Sequence, residues 1–420
     1  MSLLCNHLRK GDFLTQDRAT AWCGLLLCGY AAALIWLYAG AHGLNDALGR
    51  PLGTDFSCFY AAGHLANQAR ANAAYDPATE AAMLRQIFGD SAPFYGWFYP
   101  PIFLVPAALL ARLPYLPALL LWQITGLSLY AFGFYRLTSA CNSLCPALAK
   151  LPIRWLIAIA FPAVFLNLTH GQNGLYSATL LTLGLIYLPR RPWLSGIVLG
   201  LMAYKPQLFL LLPLALMAGA YWRTLGAMAL CILLQGLLST ALWGVNIWPA
   251  FFEALQYSRQ NVVEMGAPGF WKIQSVFAFI RYCGGTIAMA YGIQILLGLT
   301  VAAGTMHLWH SRHSAVTDKM AALCLGILAL SPYILDYDMA LAGPAIALEL
   351  QSASVRGYIC YEKVLLAGLW LSPLIARAMA ALYVPLAPAI VALSLFWIFV
   401  NAHRQEKHAR HENSNNLNCL

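Results

Sequence analysis

The stretch TAWCGLLLCGYAAALIWLYAGA fills residues 20–41 without one charged side chain. Roughly 20 apolar residues are enough to cross a bilayer, so this run reads as a membrane span. It has no small-residue cleavage site of the kind that follows a signal peptide, and is expected to be retained. The pattern recurs down the chain, near 117–136, 155–169, 175–188, 192–204, 206–219, 223–244, 286–309, 319–335, 338–350, 364–383 and 386–401. Composition agrees: 60% of the 420 residues are hydrophobic and 10% are charged, against about 25% charged in soluble domains. A water-soluble fold is thereby excluded. Period-2 alternation, the mark of a membrane barrel, is absent. The expectation is an all-α polytopic membrane protein with about 12 transmembrane helices.

The net charge of +9 does not point to nucleic acid, because the basic residues are scattered through short loops. With the spans above, both termini fall on one side, and sixteen of the 25 Lys/Arg lie there against nine on the other. Positive-inside bias then makes the terminal side cytoplasmic. The run from Tyr99 to Arg112 is short and bounded by prolines, so it is read as a surface or re-entrant helix. Letting it cross would move Arg136, Lys150, Arg154, Arg190 and Arg191 outside. The 11 cysteines lie mostly inside apolar runs, as at Cys23, Cys28, Cys231 and Cys324, and read as small buried hydrophobes. The Cys141/Cys145 spacing is a weak metal signal.

The chain divides into a cytoplasmic leader (1–19), a core (20–244) with a first outer loop at 42–116, a second module (245–402) with an outer loop at 245–285, and a polar tail (403–420) expected to be unstructured. Within the first loop, 56–88 is Ala-rich and interrupted by Tyr75-Asp76-Pro77, which predicts two amphipathic helices on the membrane surface. The segments 192–204 and 206–219 are short and meet at Tyr204-Lys205-Pro206-Gln207, a proline-broken hairpin tip.

Several polar residues need a reason to be where they are. Asp55, in Gly53-Thr54-Asp55-Phe56, suits either a helix cap or a general base for a hydroxyl. Lys205 is a cation at an apolar hairpin tip, fit to meet a lipid phosphate or to snorkel to the interface. His170-Gly171-Gln172-Asn173-Gly174 is a tight turn with hydrogen-bonding side chains. Asp336-Tyr337-Asp338 suits a divalent ion or a solvated turn. Asp55, Tyr99, His170, Gln172, Lys205, Gln207, Asp336 and Asp338 all map to one membrane side. No P-loop, Gly-x-Ser-x-Gly or His-Glu-x-x-His motif is present.

Taken in order, Asp55-Phe56 with Tyr60-Ala61, Tyr75-Asp76-Pro77, Tyr99-Pro100-Pro101, Leu113-Pro114, Gly171-Gln172, Lys205-Pro206-Gln207 and Tyr337-Asp338 resemble glycosyltransferase family 87. That family includes polyprenyl-phosphate-mannose-dependent mannosyltransferases acting on phosphatidylinositol mannosides. The resemblance implies a GT-C fold with juxtamembrane helices in the first outer loop and a catalytic Asp there, a position that Asp55 occupies. It implies a polyprenyl-phosphate sugar donor and a lipid or glycan acceptor, with no separate cofactor expected. A dedicated metal is not demanded, because a cationic side chain alone can stabilise a monophosphate leaving group. It also implies a bacterial inner-membrane enzyme with a periplasmic site. The chain departs from relatives that place a histidine just before Tyr-Asp: here Ser331-Pro332-Tyr333-Ile334-Leu335-Asp336 stands, and either Tyr333 or Asp336 replaces that histidine or its role is lost.

The expected reaction is inverting transfer of a mannose-like sugar, with Asp55 as base and Lys205, His170 and Gln172 facing the leaving phosphate. Two rivals are a flippase for a lipid-linked sugar and a non-catalytic subunit of an envelope-synthesis complex. A transporter would show paired broken helices, and one broken hairpin without a counterpart disfavours it.

Overall fold

A computed structural model describes residues 3–141 and 153–417. Cys145, Lys150 and the tail end at 418–420 lie outside the described residues. The chain begins with α1 (Leu3–Lys10) and α2 (Gln16–Ala39). Its first long loop holds α3 (Phe56–Asn67), α4 (Pro77–Phe88) and α5 (Leu104–Leu110). Next come α6 (Tyr115–Cys141), α7 (Ile153–Ile159), α8 (Pro162–His170), α9 (Gly174–Tyr187), α10 (Pro192–Gly200), α11 (Leu211–Ala218) and α12 (Trp222–Trp243). A second long loop carries α13 (Ile247–Tyr257) and α14 (Val276–Tyr282). Then α15 (Ile287–His310), α16 (Val316–Leu330), α17 (Ala342–Arg356), α18 (Glu362–Ala381) and α19 (Leu386–Leu417) follow. Among the described residues there is no β-strand, only isolated bridges such as Ile273 to Leu335.

Among the described residues six helices are long and apolar enough to cross a bilayer: α2, 115–139 of α6, α12, α15, α18 and 386–407 of α19. The other six expected spans are shorter or broken. The run 155–169 splits into α7 and α8 because Pro162 opens a new helix and has no N–H to continue the old one. The runs 319–335 and 338–350 become α16, ending at Leu330, and α17, starting at Ala342, with a 3₁₀ turn at Asp336–Leu341 between them. These short helices form the interior; residues 320–328 of α16 are all buried. Helix ends cannot face lipid unsatisfied, so short helices persist only inside protein. The long ones surround them, exposing Leu25, Trp36, Leu233, Leu237, Leu296 and Phe396.

The hairpin at Lys205 is present. Gly196 meets Thr224 and Ala227, and Gly200 meets Met228 and Cys231, so α10 and α12 run in the same direction. The chain must therefore double back through α11, leaving Lys205 at the turn. A Cβ at Gly196 would sit 2.3 Å from the Thr224 carbonyl oxygen, which explains the glycine there.

Two expectations are corrected. The first-loop helices form at 56–67 and 77–88, but α3 is not a surface helix: ten of its twelve residues are buried. Its small residues let α5 approach, with a Cβ at Gly63 falling 2.1 Å from the Ala107 carbonyl oxygen. Tyr60 Oη donates to Leu113 O (2.8 Å) and Asn67 Nδ2 to Ala108 O (2.9 Å), fastening the pair. The tail is likewise not free, since α19 continues to Leu417. Buried Glu406 accepts from Ser311 Oγ at 2.9 Å, which docks this extension.

Candidate active site

Three turns of the buried short helices meet the start of α3. Gly53 (φ +66°) and Gly171 (φ +60°) hold the left-handed conformations that let two of these segments approach. A Cβ at Gly171 would lie 2.6 Å from Phe56 Cβ. Asp55 N donates to His170 O (3.1 Å), joining the α3 start to the α8–α9 turn.

Asp55 stands at the N-cap position of α3 but makes no side-chain cap bond. Instead its Oδ2 accepts from Gln172 Nε2 at 2.9 Å. The same Nε2 donates to Tyr337 Oη (3.1 Å), while Gln172 Oε1 accepts from Asn173 N (3.0 Å) and lies 3.5 Å from Tyr99 Oη. The amide is thus fixed in orientation by four partners. Asp55 is half-buried, and among the described residues no Lys, Arg or His forms an ion pair with it. Its Oδ1 carries no hydrogen bond there.

The other two aspartates are neutralised. Asp338 pairs with Lys205 Nζ (2.5 Å), and Asp336 accepts from Arg377 Nη2 (2.6 Å). Lys205 is therefore not the lone cation its sequence position suggests. It is 4% exposed, donates also to Asn173 Oδ1 (3.0 Å), and stands 5.4 Å over the Tyr337 ring. A buried ammonium persists because a carboxylate compensates it. The Asp336 and Asp338 carboxylates diverge to separate cations, and among the described residues no group of three His, Cys, Asp or Glu side chains is arranged for a metal.

His170 is half-buried; its Nδ1 lies 2.9 Å from Leu166 O and its ring 5.9 Å from that of Tyr337. Gln207 lies on the 3₁₀ turn Pro206–Leu208, half-buried, with no hydrogen bond into this cluster. Tyr333 is half-buried and packs beside Ile273 and Leu335. Tyr99 belongs to an aromatic wall with Phe59 (5.3 Å) and Phe103 (4.8 Å). Tyr75 Oη donates to Tyr99 O (2.8 Å), so the expected Tyr75-Asp76-Pro77 break serves to place this wall.

Three residues escaped the sequence reading as site members. Asn173 was visible within the turn but looked like turn chemistry. Asn167 holds the Tyr337 carbonyl from 170 residues away, with Nδ2 donating at 2.8 Å. Arg377 sits in an apolar span, and a charge there is itself a signal.

The family model for glycosyltransferase family 87 matches residues 97–332, more than half of the chain. The chain belongs to glycosyltransferase family 87. It is therefore a membrane glycosyltransferase, with a sugar donor and an acceptor. No curated protein and no solved structure matches it. The family 87 match contains Tyr99, His170, Gln172, Lys205 and Gln207. Asp55, Asp336 and Asp338 lie outside it and join the site through the contacts above.

Proposed function

We propose that this glycosyltransferase moves a mannose-like hexose from a polyprenyl-phosphate donor to a lipid or glycan hydroxyl at the periplasmic face of a bacterial inner membrane. Asp55 is the general base. It takes the acceptor proton through its free oxygen while Gln172 holds the other. The hydroxyl oxygen bonds to the anomeric carbon, the bond from that carbon to the phosphate oxygen breaks, and the phosphate leaves with the electron pair. A lone carboxylate base with no second nucleophilic carboxylate beside it gives inversion.

The observation that carries this reading is the contrast among three aspartates. Asp336 and Asp338 are each tied to a cation, whereas Asp55 keeps an uncompensated charge and an unbonded oxygen. A paired carboxylate is a poor base, because taking a proton would leave its cation unmatched. Lys205 is 4% exposed with two of its three donors on Asp338 and Asn173, so its role in this reading is to hold Asn173, and through it the Gln172 turn, in place. The donor chemistry rests on the family's resemblance pattern and on a site within an apolar bundle.

The test uses purified protein in nanodiscs, offered radiolabelled polyprenyl-phosphate sugars with extracted lipid and glycan acceptors. At least one pair should give product. Asp55→Asn should fold normally and lose at least about a hundredfold in transfer, within the range for a positioned base. Transfer by Asp55→Asn at the wild-type rate would reduce Asp55 to a structural residue.

A further inference from the structure

Lys205 and Arg377 are the two cations at this site held by aspartates of one turn, and they differ in access. Lys205 has a side chain 5% exposed with its ammonium engaged by two oxygens. Arg377 keeps 26% of its side chain exposed. Its Nη2 donates to Asp336 Oδ1, and its Nε side faces Asp336 Oδ2 in the same ion pair. A guanidinium has five donors in a planar fork, and among the described residues its Nη1 makes no hydrogen bond. The aspartate therefore orients the fork and leaves one edge of it unused.

The helix that carries this fork adjoins the segment that holds the proposed base. Helix α18, which carries Arg377, packs on α8 and on the 3₁₀ turn Asp336–Leu341. His170 ends α8, and its carbonyl accepts from Asp55 N. One helical turn beyond Arg377, Ala380 lines an aromatic cleft with Phe270, Trp271, Ile273, Tyr282 and Pro385. Ile273 bridges to Leu335, the neighbour of Asp336. A partly exposed charged fork thus sits one helical turn from this small cleft.

We propose that Arg377 is the direct ligand of the donor phosphate, oriented by Asp336 on the opposite edge of the guanidinium. The inference rests on the polyprenyl-phosphate reading above. During transfer the oxygen between the anomeric carbon and phosphorus leaves with the bonding electrons, and Nη1 donates to the phosphate that gains this charge. The guanidinium keeps its proton throughout. A departing phosphate strengthens this bond, so the interaction favours the transition state.

The experiment measures binding of polyprenyl phosphate and of the matching polyprenol to nanodisc-embedded protein. Three variants are compared with wild type: Arg377→Ala, Arg377→Lys, and the neutral pair Arg377→Gln with Asp336→Asn, which leaves no buried charge unmatched. Wild type should prefer the phosphate form by at least about tenfold. Arg377→Ala and the neutral pair should bring the two affinities close together, and Arg377→Lys should keep part of the preference. A neutral pair that retains the wild-type preference overturns the role of Arg377 while leaving the donor reading intact. A wild type without preference overturns the donor reading itself. Inorganic phosphate competing as well as polyprenyl phosphate would show a free-phosphate site and remove the lipid from the inference.

Discussion

A carboxylate in an apolar bundle has to answer for its charge, and the three aspartates of this site answer in two ways. Asp336 and Asp338 use Arg377 and Lys205; Asp55 uses an amide and an open side. The pairing of Lys205 with Asp338 makes a separable prediction. Breaking a buried pair by removing one partner costs about 3–5 kcal/mol, because the other charge is left alone. Lys205→Met should therefore lower the thermal midpoint sharply. Adding Asp338→Asn should recover most of the loss, and transfer should return in proportion to folded protein if Lys205 only holds the wall. Restored stability with transfer still absent would instead make the ammonium a direct participant in the reaction. Melting curves and initial rates on the same preparations decide between the two.

At the scale of elements, Glu80 on α4 gives a second test. It is buried beneath the aromatic wall, where its Oε2 accepts the Trp97 N–H at 2.7 Å. Burial raises its pKa from the ordinary 4.5 to about 8, with the Trp97 bond opposing the shift. The folded state therefore binds more protons than the unfolded state between these values. Stability must fall as pH climbs from about 4.5 to about 8 and level off above, at no more than about 1.4 kcal/mol per pH unit. Glu80→Gln removes this titration. Its advantage in melting temperature over wild type should be small at pH 5 and grow to a plateau near pH 9. A constant difference across that range would show that Glu80 does not titrate there. Such elements also mark what could be read in advance. Prolines and glycines act locally, so the breaks at Tyr75-Asp76-Pro77 and Lys205 were legible, as was the start of α3. The burial of α3 depends on α5 packing against it. Lys205 finds Asp338 across 133 residues and Asp336 finds Arg377 across 41. No local pattern encodes such partners, which is why the site residues were legible and their pairing was not.

For the whole molecule, the arrangement of ends relates the sides to one another, and charge predicts which of them is cytoplasmic. Arg9 O accepts from Tyr361 N at 2.8 Å, and Glu406 joins Ser311, so both termini sit with the 311 and 361 turns. Arg191 precedes α10 and Arg223 lies in the first turn of α12, which run side by side away from that end toward the site. Arg190, Arg191, Arg223, Arg312, Lys319, Arg356 and Lys363 thus cluster opposite Asp55, Gln172 and the Lys205 turn. Lys/Arg-rich short loops stay in the cytoplasm, so the site should open on the far face. Helix α5, with the 3₁₀ turn before it, spans ten residues, about 15 Å at 1.5 Å per residue, too short to cross alone. It therefore leaves this order unchanged. Reporter fusions after Arg136, Arg191 and Arg312 should read cytoplasmic, and fusions at Gly89 and Glu264 should read periplasmic. The Arg191 fusion is decisive, because an inward-crossing α5 would invert it and every loop up to the Lys205 turn. A periplasmic signal there would place the site on the cytoplasmic face and overturn the periplasmic reading.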